Sequence, residues 1–152
     1  MIFSDDLNLT IYLATDTQIS IDRLSNSHLQ KWGVDTKSAF EVAFQNLLKN
    51  TFEEKITYQS DIQVAFYETK DGYDATRIVL SQTRNWFCKK LGVKECYIGI
   101  PNRDFLVAFV PTPNMTVEVH HEKINNFFLN HRYKVSDHIF GANVKGELWI
   151  VK

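Results

Sequence analysis

The alternation of apolar and polar positions predicts β-strands near the start of the chain and again in its later part. Residues 8–14 and 17–22 predict an opening hairpin that turns at Thr15 and Asp16. Further strands are predicted over residues 61–69, 95–100, 105–110, about 133–140 and about 146–151. In the first of these, apolar residues alternate with others, so we expect one covered face. Short polar stretches separate most of the strands, which favours hairpins and antiparallel pairing.

A spacing of three and four residues between apolar positions predicts two helices in the first third of the chain. The first is short, is capped by Ser25 or Ser27 and ends at Gly33. The second has Asp35 as its N-cap. Its apolar face, which we expect to enter the core, consists of Ala39, Phe40, Ala43, Phe44, Leu47 and Leu48.

The same spacing predicts two later helices. One covers residues 74–91 and ends at Gly92. The other is capped by Asn114 or Thr116 and reaches about Asn130. The inward positions are Ile78, Val79, Thr83, Trp86, Phe87 and Leu91 in the first helix, and Val117, Ile124, Phe127 and Phe128 in the second.

Strand pairs with helices inserted between them predict an α+β fold. We expect a mostly antiparallel sheet built from hairpins, with three to four helices packed on one face. The 152 residues correspond to one ordinary domain, and the sequence contains no linker, repeat or low-complexity segment. We therefore expect a single domain over residues 1–152.

Charge and composition narrow the classes of partner. Lys and Arg total 17 against 18 acidic residues, a net charge of −1, so the chain has no general attraction to polyanions. Its aromatic residues are not interleaved with a basic stripe, as base-stacking surfaces are. No apolar run approaches the roughly 20 residues of a membrane-spanning helix, and the N-terminus lacks the pattern of a signal peptide. We expect a cytoplasmic protein that binds neither nucleic acid nor membrane.

The two cysteines, Cys88 and Cys96, are too few to form a disulfide framework in a chain of this size. They lack the spacing of a redox motif, and Cys96 lies in an apolar strand where burial raises a thiol pKa. A nucleophile with a resolving thiol is the alternative interpretation. We expect both cysteines to be reduced and to serve in packing.

His120, His121 and Glu122 resemble a fragment of a metal-binding motif. Adjacent helical side chains diverge, and position 125, where a zinc-binding helix would carry its second histidine, is Asn. His131 lies about 16 Å from His120 along the same helix. A solvated helical face is the simpler interpretation, so we expect no metal and no cofactor.

Several segments resemble an uncharacterised bacterial family of the YtpQ type. They are residues 9–50, the run GYDATRIVL, the run YIGIPNRDFLVAF and residues 134–151, in that order along the chain. The likeness is to the later part of the family's longer chains. The resemblance implies a bacterial, cytoplasmic origin, and because the family has no established activity it assigns no catalytic residue.

The turn predicted between residues 95–100 and 105–110 carries the polar sequence PNRD. A helix over residues 74–91 is about 27 Å long, and the next strand returns about 20 Å, so this turn should lie near the start of that helix. The candidate ligand or partner patch consists of Asp74, Arg77, Asn102, Arg103 and Asp104. A simpler interpretation is architectural: Asp74 caps the helix and Arg103 pairs with an acid.

No sequence feature points to a particular reaction, since the usual phosphate-binding, hydrolase and zinc motifs are absent from the sequence. The leading hypothesis is a non-enzymatic protein that binds another protein or a small anion. One alternative is a hydrolase or transferase of unrecognised type that uses Asp74, Arg77, Arg103 and Asp104. Another is a structural homodimer formed through an uncovered sheet edge.

Overall fold

The structure is a computed structural model that describes residue 7, residues 9–17 and residues 20–151. Three residues of the predicted opening hairpin, at positions 8, 18 and 19, lie outside the described residues. The chain forms two compact units, Met1–Asn50 and Thr51–Lys152. A single domain over residues 1–152 stays a prediction.

The first unit opens with the predicted antiparallel hairpin, although its strands are shorter than expected. Strand β1 spans Ala14–Asp16 and pairs with β2, Ile21–Arg23. Between the two strands, the Ser20 N–H donates to the Thr17 hydroxyl at 3.0 Å. The predicted turn was therefore wrong in position, because its two residues belong to β1.

Two helices complete the first unit. Helix α1 spans Asn26–Trp32, with Ser25 as N-cap and Gly33 after its last turn in the left-handed conformation (φ 65°). This φ favours glycine, so the predicted end is confirmed together with its physical reason. Helix α2 spans Thr36–Lys49 and is capped as predicted: the Asp35 carboxylate accepts a hydrogen bond from a backbone N–H in the first turn.

The apolar face of α2 is less covered than expected. All six predicted core residues of that face are half-buried, while the rest of the helix is exposed. The periodicity therefore identified the correct face and overestimated its burial. An amphipathic pattern gives the direction of a face but not the extent of its cover.

The second unit contains a six-stranded antiparallel sheet within the described residues. The strands are β3 (Ile56–Gln59), β4 (Val64–Tyr67), β5 (Glu95–Gly99), β6 (Leu106–Phe109), β7 (Ile139–Asn143) and β8 (Leu148–Ile150). Their order across the sheet is β3-β4-β6-β5-β7-β8. Within the part of the chain that the structure describes, four α-helices and two antiparallel sheets confirm the α+β class.

Three strand predictions need correction. Strand β3 was not predicted, and the single strand expected over residues 61–69 is only β4. Both faces of β4 are covered, because the neighbouring residues Val64 and Ala65, which point to opposite faces, are both buried. Strand β7 begins at Ile139 rather than near residue 133, and Gly141 lies inside it.

The helix expected over residues 74–91 is broken. A 3₁₀ helix spans Ala75–Val79, Leu80 is extended (ψ 117°), and helix α3 spans Ser81–Leu91. Gly92 then ends α3 in the left-handed conformation, as predicted. Leu80 takes the N-cap position without a side chain that can accept a hydrogen bond, so the break has no capping signal in the sequence.

Helix α4 spans Val117–Asn130, with Thr116 as its N-cap. It packs on the sheet face opposite α3. In β5, Cys96 contacts α3, whereas Gly99 lies directly under Ile124 of α4. These two positions are three residues apart in the strand, so they face opposite sides of the sheet. The prediction that the helices pack on one face is therefore wrong: within the second unit, the sheet lies between α3 and α4.

No helix in the part of the chain that the structure describes combines the length and apolar composition that crossing a bilayer requires.

Candidate functional site

Two members of the predicted patch, Asp74 and Arg77, form a buried ion pair. Their side chains are 0% and 1% exposed, and Arg77 Nη1 lies 3.2 Å from Asp74 Oδ1. The guanidinium also binds Asp71 through both terminal nitrogens, at 2.9 and 2.5 Å, and its Nε donates to the Thr51 hydroxyl at 3.2 Å. The nitrogen donors of the Arg77 guanidinium therefore bind other protein groups rather than solvent.

The Asp74 carboxylate closes the loop that precedes the 3₁₀ helix. It accepts hydrogen bonds from the Thr69 N–H at 3.1 Å, the Thr69 hydroxyl at 2.5 Å and the Lys70 N–H at 2.9 Å. Asp74 therefore binds residues before it in the chain, and the expectation that its side chain caps the following helix is wrong. With these bonds and Arg77, both carboxylate oxygens are engaged.

Asp71 is the partly exposed end of this ionic cluster. Burial raises the pKa of Asp71, but the hydrogen bonds from Arg77 and from the Tyr73 N–H, together with the charge of Arg77, outweigh this effect and hold the pKa below its ordinary value. The carboxylate therefore stays ionised at neutral pH. An acid whose proton is this readily lost is a poor general acid, so the cluster suits a structural ion pair better than proton transfer.

The predicted turn does lie beside the start of the 3₁₀ helix. The Ala75 N–H donates to the Arg103 carbonyl at 2.9 Å, which joins the two segments through the backbone. Within the turn, the buried Asn102 side chain accepts a hydrogen bond from the Asp104 N–H at 2.9 Å. This is the local side-chain bond that Asn commonly makes in turns. Asn102 therefore shapes the turn.

Arg103 and Asp104 are the accessible members of the patch. Both side chains are about one-third exposed, and Arg103 Nε lies 3.3 Å from Asp104 Oδ2. The backbones of the five predicted residues are thus close together, but their side chains have different environments. Asp74 and Arg77 form a buried pair, whereas Arg103 and Asp104 lie at the surface. The expectation that Arg103 pairs with an acid is confirmed.

Sequence analysis missed Tyr133, which covers Arg103. The guanidinium carbon lies 3.6 Å from the centre of the Tyr133 ring, a cation–π contact. The Arg103 N–H also donates to the Tyr133 carbonyl at 3.0 Å. Tyr133 is 58% exposed and has φ 56°, a left-handed conformation that non-glycine residues adopt at a cost of about 1–3 kcal/mol.

The segment that carries Tyr133 runs antiparallel to the turn. Asn102 bridges to Lys134, and the Val135 N–H donates to the Pro101 carbonyl at 3.1 Å. His131, Arg132 and Lys134 are exposed, so basic side chains outnumber the acid Asp104 here. The run HRYK was the available sequence signal, but its position beside the turn depends on backbone pairing between residues 32 and 34 positions apart, which no local pattern reveals.

Stacked aromatic rings adjoin this segment. The rings of Phe105 and Phe127 are 4.7 Å apart, and those of Phe127 and His131 are 4.3 Å apart and nearly parallel. Phe127, predicted to lie on the buried side of α4, is instead exposed. We call the combined set the aromatic-basic surface: Arg103, Asp104, Phe127, His131, Arg132, Tyr133 and Lys134.

His120 is buried, which corrects the expectation of a solvated face at residues 120–122. Its ring stacks on Phe109 with 3.9 Å between the ring centres, and among the described residues no hydrogen-bond partner reaches its Nε2. Burial, with a smaller contribution from the charge of Lys123, lowers the pKa of His120. His121 and Glu122 are exposed as expected.

These histidines form no metal centre in the described structure. Within residues 7, 9–17 and 20–151, no three His, Cys, Asp or Glu side chains come together in an arrangement that could hold a metal ion. The expectation of no metal and no cofactor stays a prediction.

Arg84 is a second buried arginine that the sequence analysis missed. From the first turn of α3, its guanidinium donates to the carbonyl of Gly146, in the turn between β7 and β8, and to that of Ile78, in the preceding 3₁₀ helix. Burial lowers the pKa of Arg84 to about 10. All the bonds described for this group go to the backbone, so Arg84 has an architectural role.

The chain was compared with known proteins, and no family model, curated protein or solved structure matches it. The resemblance to the YtpQ-type family therefore stays a prediction.

Proposed function

We propose that this chain is a non-enzymatic binding protein that recognises another protein, or a small anion, through the aromatic-basic surface. The proposal combines the predicted turn residues Arg103 and Asp104 with the neighbouring basic segment. Exposed aromatic and arginine side chains are enriched where proteins bind one another, because aromatic rings bring a large contact area at little cost in side-chain entropy and arginine brings several hydrogen-bond donors.

The observation that carries the proposal is the conformation of Tyr133. A tyrosine with positive φ and a mostly exposed ring loses backbone stability and gains little burial in return. Such strain is tolerated most often where it positions a functional group. Here it holds the ring over the Arg103 guanidinium, so that an apolar face and a cation are presented side by side.

The engagement of the acids favours binding over catalysis. In the alternative, a hydrolase or transferase would use Asp74, Arg77, Arg103 and Asp104. Asp74 and Arg77 are buried and bonded to one another, and Asp104 is paired with Arg103. A general base needs access to the substrate proton, which a buried, fully bonded carboxylate does not offer.

The test compares Tyr133→Ala and Arg103→Ala with Tyr12→Ala. Tyr12 is the matched control, because it is 53% exposed and also carries an arginine, Arg23, 3.4 Å above its ring. We expect cellular proteins captured by the wild-type chain, or stabilisation by added phosphate, to be lost in the first two variants and retained in the third.

Equal capture and equal phosphate stabilisation in all four proteins would contradict the proposal. A wild-type chain that sediments as a dimer, with no dependence on Tyr133 or Arg103, would instead support the structural homodimer. An enzymatic activity that disappears in Arg103→Ala would support the enzyme.

We further propose a bacterial, cytoplasmic origin. The family resemblance supports the origin, and two cysteines without the pattern of a disulfide framework are typical of proteins in reducing compartments. Fractionation of cells that produce the full chain would test the location.

A further inference from the structure

Cys88 of α3 and Cys96 of β5 are in direct contact. Their Sγ atoms lie 3.5 Å apart, and both side chains are buried where α3 packs on the sheet. Packing alone would be satisfied by two separate apolar side chains. Two thiols at contact distance are also close to the arrangement of a disulfide, which requires a further approach of about 1.5 Å.

The two thiols are chemically unequal. The hydrogen bond from Cys96 lowers the pKa of Cys88, whereas the pKa of Cys96 is raised by that bond and by burial. The Cys88 S–H in turn donates weakly to the Ala142 carbonyl at 3.9 Å. The thiol that ionises more readily is the better nucleophile, so Cys88 is suited to react first and Cys96 second.

We propose that Cys88 and Cys96 form a redox modification site, a buried dithiol that a hydroperoxide converts into an intramolecular disulfide between α3 and β5. Reduced thiols are its resting state. Cys88 lies in the last turn of α3, close to the helix end at Gly92, and helix ends open more readily than helix centres. A molecule as small as hydrogen peroxide needs only a small opening there.

The reaction balances in two steps. The Cys88 thiolate attacks one peroxide oxygen, the O–O bond breaks, and the departing hydroxide takes up the proton that Cys88 released, giving water and a sulfenic acid on Cys88. The Cys96 sulfur then attacks Cys88 Sγ, the S–S bond forms and the S–OH bond breaks. The second hydroxide combines with the proton of Cys96, so two thiols lose two electrons and two protons to one peroxide.

The experiment treats the reduced, folded full chain with hydrogen peroxide, removes the oxidant, and then denatures and alkylates the protein. We expect both alkylatable thiols to disappear with a loss of two hydrogen atoms per chain. Trypsin should then release residues 85–89 linked to residues 95–103, because Arg84, Lys89, Lys94 and Arg103 provide the cleavage sites. Reduction should restore the two separate peptides.

Two controls distinguish a redox site from two thiols that serve only in packing. Cys88→Ala and Cys96→Ala each keep one thiol and should show no loss of hydrogen. In a second measurement that needs no variant, the wild-type chain is equilibrated with oxidised and reduced glutathione, starting from both its reduced and its oxidised forms. Disulfide in the folded chain at equilibrium supports the proposal.

The contrary outcomes are equally definite. Peroxide products that are sulfinic or sulfonic acids, or disulfides between chains, would overturn the proposal. So would a folded chain that remains a dithiol at every glutathione ratio at which the denatured chain forms the disulfide.

Discussion

Replacing Arg77 with methionine tests whether the ionic cluster is architectural. Methionine keeps much of the apolar volume and removes the guanidinium, which leaves the Asp74 carboxylate fully buried without its cation. Breaking a buried pair from one side costs about 3–5 kcal/mol. Because Asp74 keeps its bonds from Thr69 and Lys70, we expect the lower end, a loss of about 3 kcal/mol in the free energy of unfolding.

The matched control is Arg103→Ala, which removes an arginine from a pair that is about one-third exposed. Pairs near the surface contribute about 0–1 kcal/mol, so this variant should lose at most about 1 kcal/mol. Urea unfolding followed by circular dichroism measures both. Asp74→Asn and the double variant Asp74→Asn/Arg77→Met complete a cycle, and the double variant should be more stable than the sum of the single losses predicts.

Equal, small losses in Arg77→Met and Arg103→Ala would refute the reasoning, since the buried carboxylate would then tolerate its isolation. Additive losses in the cycle would refute the direct coupling of Asp74 and Arg77. Loss of partner binding in Arg77→Met without loss of stability would assign the buried pair to recognition instead of architecture.

Three further predictions concern the core of the second unit. Because burial lowers the pKa of His120 below its ordinary 6.5, the unfolded chain takes up a proton at a higher pH than the folded chain does. The free energy of unfolding should therefore fall as the pH drops below about 6.5. Urea unfolding midpoints should show this fall in the wild type and less of it in His120→Phe. Gly99→Ala should lose about 1–3 kcal/mol in the free energy of unfolding, because the added Cβ would overlap the Ile124 side chain. Thermal unfolding measures this loss, and an unchanged melting temperature would contradict the overlap. Both thiols of the folded chain should react slowly with a bulky thiol reagent, and labelling as fast as in the denatured chain would contradict their burial.

The features that sequence predicted well depend on neighbouring residues. Ser25, Asp35 and Thr116 precede their helices as N-caps, and Gly33 and Gly92 follow helices where the backbone turns left-handed. These signals act within one turn of helix, so they can be read without knowing the tertiary structure.

The broken helix shows where local patterns fail. Residues 74–91 have continuous helical periodicity, yet Leu80 is extended. In the segment before Leu80, the side chains of Asp74 and Arg77 form hydrogen bonds with the preceding loop. The Ala75 N–H also donates to the backbone of the PNRD turn. Such contacts form only when distant parts of the chain meet, and they outweigh helix propensity.

Two buried polar residues did carry a signal that was misread. His120 lies between Val117 and Ile124 at spacings of three and four, which places it on the inward face of α4. Arg84 likewise lies four residues after Leu80 and seven before Leu91 on the inward face of α3. A polar residue at such a position must be buried with partners or lie where the face opens. Periodicity predicts the burial of Arg84, but not its hydrogen-bond partners, since one of the carbonyls that accept from it belongs to Gly146, a distant part of the chain.

The PNRD turn has two structural connections, which explains why its sequence fitted both a ligand patch and an architectural turn. Its backbone joins the 3₁₀ helix on one side and the segment carrying Tyr133 on the other, and the buried pair of Asp74 and Arg77 stabilises the first of these junctions. The surface arginine, Arg103, is thereby fixed beneath the Tyr133 ring. In the proposed function, architecture and recognition would be consecutive parts of one structure: buried charges hold the turn, and the turn presents the partly exposed guanidinium of Arg103 to a partner.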